Sequence, residues 1–208
     1  MTTVLGTHPG TRLNARLTPR PRRWSRKEYL RLYEAGWFAG QRVELVAGEV
    51  IEMPSQMNPH VWGVQTGQRV LEKAFGRGYW VRAQATLNLG PSDLPDPDIA
   101  VVPGNPSPGG TYPTTALLVV EVSDTTLWFD RNRKSRTYAR AGIAEYWIVN
   151  LVDRQLEVHR GPVSDPLKRP RHQYTNVTVL RPGGTITPLA APRAKIAVAR
   201  LLPPAGYA

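Results

Sequence analysis

Acidic side chains are scarce in this chain of 208 residues, 16 Asp and Glu against 27 Lys and Arg, so the position of each one carries information. Glu121 stands inside Leu117 to Val122, the most apolar run of the sequence, between Val120 and Val122. A carboxylate is costly to bury there unless it is paired or binds a cation. Asp98 opens a second short apolar run, Asp98-Ile99-Ala100-Val101-Val102, directly after Pro97. If the two runs are neighbouring strands, both carboxylates can converge on one ion. Hard oxygen donors favour Mg²⁺ or Mn²⁺ over zinc, and the absence of cysteine agrees. A structural salt bridge is the alternative use of Glu121.

A cation is available nearby. Asp130, Lys134 and Tyr138 recur every four residues in a segment with helical patterning, and so share a face. Lys134 can point from that face toward the carboxylates, where an amine would stabilise charge developing on a transferring phosphoryl group. It can equally be an exposed lysine paired with Asp130. Glu44, on a short strand, is either a third acid of the site or the polar side of an edge hairpin, with Glu49 and Glu52 as competitors. Gln84, in mid-strand, could orient water or touch phosphate, or be an ordinary half-buried polar residue. His60 reads as a helix N-terminal residue, with catalysis the lesser reading. Neither His159 nor His172 has the spacing or the cysteine partner that would support zinc.

The elements that must position these groups can be read along the chain. Ser25 and Glu28 have capping-box spacing, so a short helix is expected from there to about Ala35. Two apolar runs around Ala47-Gly48 suggest a hairpin over 43–53. Helical spacing over His60 to Phe75 puts Val61, Val64, Val70, Leu71 and Ala74 on one face. Trp80 to Leu89 alternates as a strand. The two acid-bearing runs follow as strands, Leu117 to Val122 reading as a central one covered on both faces. A helix over 130–141 comes next, then strands at Glu145–Asn150 and Gln155–His159, and a peripheral hairpin is expected around 174–187. This order points to an α/β fold with a central mixed sheet flanked by helices.

Composition bounds the partners. The hydrophobic fraction of 41% and six tryptophans are globular material, and the length suits a single domain, placed at residues 24–208. Residues 1–23 read as a flexible basic extension: Arg12, Arg16, Arg20, Arg22, Arg23, Arg26 and Lys27 fall within 12–27 without one acid. That extension is either an accessory nucleic-acid arm or a solubilising tail. The net charge of +11 favours encounter with polyanions. No apolar run approaches a bilayer span and no secretory signal is evident, so the cytoplasm is the expected compartment. Dinucleotide-binding, Walker A and G-x-S-x-G patterns are missing.

Five blocks occur in a familiar order: Val43-Glu44-Leu45-Val46-Ala47-Gly48-Glu49-Val50, Pro95-Asp96-Pro97-Asp98-Ile99-Ala100-Val101-Val102, Val119-Val120-Glu121-Val122-Ser123, Asp130-Arg131-Asn132-Arg133-Lys134, and Tyr138 through Val149. Together, over roughly residues 24–190, the chain resembles the Uma-type family of putative restriction endonucleases within the PD-(D/E)XK nuclease superfamily. The resemblance implies a restriction-endonuclease-like core that hydrolyses phosphodiester bonds, most readily in DNA. It implies Asp98, Glu121 and the main-chain carbonyl of Val122 as ligands of Mg²⁺ (or Mn²⁺). It selects Lys134 as the catalytic amine, because Ser123 occupies the superfamily's usual lysine position. Glu44 matches the family's hairpin acid and Gln84 its strand glutamine. A homodimer is expected, since two active sites cut two strands most easily. The competing reading is a nucleic-acid-binding module that kept the fold and lost turnover.

Overall fold

The computed structural model describes residues 19–107 and 109–206. Most of the basic extension, including Arg12 and Arg16, lies outside the described residues. Its last residues are packed: Trp24 N–H donates to the Gly48 carbonyl at 2.8 Å, Arg23 pairs with Glu49, and Arg22 lies over the Trp24 ring.

Helix α1 (Arg26–Glu34) starts at the capping box, with Ser25 accepting from the Glu28 amide and Glu28 accepting from the Ser25 amide. Strands β1 (Val43–Val46) and β2 (Glu49–Glu52) form the hairpin. Ala47 and Gly48 both take positive φ (52° and 75°), the left-handed pair that matches the twist of a two-residue hairpin. The Leu45–Leu94 bridge then ties this hairpin to the loop that leads to Asp98.

The main sheet has six strands in the order β3 (Tyr79–Ala83), β4 (Ile99–Pro103), β5 (Leu118–Ser123), β6 (Glu145–Asn150), β7 (Gln155–Ser164), β8 (His172–Leu180). All neighbours are antiparallel except β5 and β6, which are parallel. A parallel pair needs a crossover, and residues 124–144 supply it: α3 (Leu127–Phe129), a π-helical stretch (Asp130–Lys134) and α4 (Ser135–Arg140) run on as one helical segment. Strand parity sorts the side chains. Ile99, Val101, Val120 and Val122 pack with Val64, Leu71 and Phe75 of helix α2 (Asn58–Phe75) on one face. Ala100, Val102 and Val119 pack with Tyr138, Ile143 and Tyr146 on the other. Burial of β5 on both faces is the arrangement that its unbroken apolar run anticipates.

Two expectations are corrected. The strand that begins at Trp80 ends at Ala83, because Gln84 takes φ 48° and turns the chain away; Leu87 nevertheless reaches the core from an irregular segment. Residues 174–187 are not a peripheral hairpin: β8 joins the main sheet beside β7. Strand β9 (Thr185–Ile186) instead pairs with β10 (Ile196–Ala197). Of the six tryptophans, Trp147 is fully buried, whereas Trp37 and Trp128 are 73% and 69% exposed.

Candidate active site

The β4–β5 register pairs Ile99 with Val120, so Asp98 lies opposite Glu121 where the strands open into a cleft. The Asp98 N–H donates to Glu121 Oε2 at 3.2 Å, and the Val122 N–H donates to Asp98 Oδ2 at 2.8 Å. The two acids, distant in sequence, are thus cross-tied through main-chain amides. Lys134 reaches the same point from the π-helical turn, its Nζ 3.0 Å from Glu121 Oε1 and 2.7 Å from Glu44 Oε2. Lys134 is 1% exposed and is not the solvent-facing lysine its local sequence permits. A π turn widens the helix by one residue and is frequent at functional positions. Here the Asp130 carbonyl accepts both the Ser135 N–H and the Tyr146 hydroxyl.

Glu44 therefore lies against Lys134. That contact is a close ion pair off the ideal hydrogen-bond angle. Gln84 stays outside the cleft: its side chain is exposed, and its contribution is an N–H donated to the Asp98 carbonyl at 3.0 Å. Ser123, two residues after Glu121, donates to Asp130 Oδ2 at 2.7 Å. Among residues to which sequence reasoning assigned no role, Tyr138 donates its hydroxyl to Glu121 Oε1 at 2.5 Å. Asp130 is buried under Ser123 and Thr126. Asp96 Oδ1 is buried without a hydrogen-bond partner. The pairing of Asp96 with Asp98 in Pro-Asp-Pro-Asp was the available signal for the last of these. His60, the lesser candidate in sequence, places Nε2 3.1 Å from Asp98 Oδ1.

Electrostatics follow from this crowding. Six acids, Glu44, Asp96, Asp98, Glu121, Asp124 and Asp130, line the cleft with Arg42, Lys134 and His60. Burial pushes the Glu121 carboxyl well above the ordinary range; Lys134 opposes this, while Asp98, Asp130 and Glu44 reinforce it. Burial likewise raises Glu44, Asp96 and Asp130, with Lys134 again opposing in each case. For Lys134, burial acts against the charge, but Glu121 and Glu44 outweigh it and hold the ammonium above its usual pKa. Burial also opposes charge on His60, and Asp98 more than compensates.

Among the described residues, no group of three or more His, Asp or Glu side chains is arranged to hold a metal ion by itself. The two carboxylates Asp98 and Glu121 fit a different pattern. Mg²⁺ commonly takes one or two protein carboxylates and completes its shell with water and substrate phosphate. The cleft's cavity of about 30 Å³ has room for an ion-sized occupant and water. The excess of acids would repel a phosphodiester unless a cation came with it. The donor set therefore fits a hard divalent ion.

The mixed sheet, its crossover helix and the acid-amine cleft together define a restriction-endonuclease-like fold. Residues 26–199 match the family model Uma2, described as putative restriction endonuclease, and the chain belongs to that family. The crystal structure of a putative nuclease of the DUF820 group from Anabaena variabilis ATCC 29413 is similar, with TM-score 0.62 at 15% identity, covering 84% of this chain and 95% of that one. At that identity the likeness speaks to fold alone. No curated protein matches. Among the described residues, no helix is long and apolar enough to cross a membrane.

Proposed function

We propose that this protein is a divalent-metal-dependent endonuclease acting on DNA. The observation that carries the reading is the meeting of Asp98, Glu121 and Lys134 in one cleft, the Asp98 N–H 3.2 Å from Glu121 Oε2 and Lys134 Nζ 3.0 Å from Glu121 Oε1. Asp98, Glu121 and the Val122 carbonyl would hold Mg²⁺ or Mn²⁺, which supplies Lewis-acid polarisation of a phosphodiester oxygen and acidifies water. Lys134 places a permanent positive charge beside the acids, where it stabilises the charge that builds on the phosphoryl group. Glu44 keeps that amine aimed, and Tyr138 holds the Glu121 carboxylate at the same oxygen that Lys134 faces. Arg42, at the cleft, and the basic excess of the chain favour approach of a polyanion.

Residues 24–208 act as one catalytic unit in the cytoplasm, with the basic extension as an accessory, and a homodimer supplies two sites for two strands. Purified protein incubated with plasmid and single-stranded DNA plus Mg²⁺ or Mn²⁺ tests the reading. Metal-dependent cleavage that disappears in Glu121→Ala supports it, and identical background cutting by both proteins sinks it. One observation favours a second reading, a nucleic-acid-binding module without turnover: both oxygens of Glu121 already accept hydrogen bonds from the protein. A Mn²⁺ titration separates the two, because the silent module shows no Glu121-dependent binding.

A further inference from the structure

Helix α2 lies unusually close to the acid-bearing strands. A Cβ added to Gly63 would come 2.8 Å from Val122 Cγ1, and one added to Gly67 would come 2.8 Å from Ile99 Cδ1. These are the residues that follow Glu121 and Asp98. Only hydrogen at these two helix positions allows such an approach. His60, Gly63 and Gly67 are spaced by three and four residues, so they share the face turned to the sheet. The close contact therefore carries the His60 ring, in the first turn of α2, into the cleft wall, where it is buried.

There the ring meets a single carboxylate. His60 Nε2 is 3.1 Å from Asp98 Oδ1, and the Gln56 side-chain nitrogen lies 3.0 Å from the same ring atom. One ring nitrogen cannot both accept from the Gln56 amide and donate to Asp98. A metal-ligating carboxylate is an acceptor, so Nε2 carries the hydrogen and donates to it, and the Gln56 amide turns its oxygen toward the ring. Asp98 is thereby gripped at both oxygens by donors from two different elements, His60 on α2 at Oδ1 and the Val122 amide on β5 at Oδ2. One donor leaves the carboxylate plane free to swing; two set its rotation. Each oxygen keeps a second lone-pair direction for another partner.

We infer that His60 is a positioning residue, which orients the Asp98 carboxylate for a divalent cation from a helix that two glycines allow to press against the ligand strands. The inference rests on the assignment of Asp98 as a metal ligand. Partners that orient ligating groups typically contribute 10- to 100-fold to metal affinity. His60 touches neither the amine nor the other carboxylates of the site in the contacts above, so its effect runs through Asp98.

Calorimetric titration of the full chain with Mn²⁺ tests this, comparing wild type with Asp98→Ala, His60→Phe and His60→Gln. Phenylalanine keeps the ring volume and removes the donor, so Mn²⁺ binding should weaken about 10- to 100-fold. Glutamine restores an N–H donor and should recover most of that loss. The melting midpoint of metal-free His60→Phe, followed by circular dichroism, should stay near that of wild type, as a packing defect would not allow. If Asp98→Ala abolishes binding while His60→Phe binds like wild type, the positioning role is wrong and the metal assignment stands. Equal weakening in the Phe and Gln variants also overturns the role. If wild type binds no Mn²⁺, or Asp98→Ala binds as wild type does, both the role and the metal assignment fall.

Discussion

Glu121 in β5 and Glu157 in β7 are buried glutamates of the same sheet, yet their surroundings drive them in opposite directions. Burial raises the pKa of both. At Glu157 that effect is overcome by Arg131, which donates at 2.6 and 2.9 Å, and by Asn150 and Gln155 at 2.7 and 3.0 Å, so the carboxyl is held at about 2. At Glu121 the cation Lys134 is outnumbered by Asp98, Asp130 and Glu44, and the carboxyl is pushed up. One acid is saturated by donors and ties the crossover helix to the sheet. The other belongs to an acid surplus around a cavity. Burial alone does not mark a functional acid; the sign of its uncompensated surroundings does.

The largest effect that could break this contrast is on Lys134. Lys134→Met removes the amine that faces Glu44 and Glu121 and leaves buried charge without its partner. A loss of about 3–5 kcal/mol in urea unfolding at pH 7 is expected, together with loss of cleavage. An unchanged unfolding midpoint would mean that the acids do not depend on this cation.

At the other glutamate, the folded pKa lies below the usual 4.5. Its contribution to stability is therefore complete above about pH 4.5 and is lost as pH falls toward about 2. Arg131→Ala should cost roughly 1–3 kcal/mol near neutrality and flatten stability over that acid window. Cleavage should be untouched. Denaturation curves collected at several pH values, beside a plasmid assay, check all three.

The smallest effect sharpens the comparison most. Burial and the neighbouring acids disfavour the charged form of Glu121 in the fold. Glu121→Gln removes that charge but turns one acceptor oxygen into an N–H₂ facing a donor. The metal-free melting midpoint should therefore stay within a few degrees of wild type, equivalent to about 1 kcal/mol, while cleavage is abolished. A clear fall in the midpoint would show that Glu121, like Glu157, is a structural ion-pair member.

Much of the scaffold was legible because its causes are local. The capping box at Ser25, the Ala47-Gly48 turn, the helical period of α2 and the unbroken apolar run of β5 each state their element within a few residues. Trp80 to Leu89 misled because alternation continued past the point where Gln84 adopts a left-handed backbone, which no periodicity reports. The β8 segment misled because its partner is β7 of the main sheet, and strand pairing is a long-range choice. In the site, Glu121 and Asp98 stood out because acids in apolar runs carry a cost that has to be met. His60 did not stand out, since its partner lies 38 residues away across a helix–sheet contact.

By itself, the order of residues determined which groups are chemically capable and which short elements carry them, because capping, turns and periodicity act between near neighbours. It also determined, through parity along each strand, which side chains could share a face. Only the tertiary structure decided that Lys134 sits between Glu44 and Glu121, that Gln84 stays outside, and that Gly63 and Gly67 bring His60 to Asp98. Those outcomes depend on how helices seat on the sheet, and the electrostatic fate of each acid depends on every charge that this seating brings within a few ångströms.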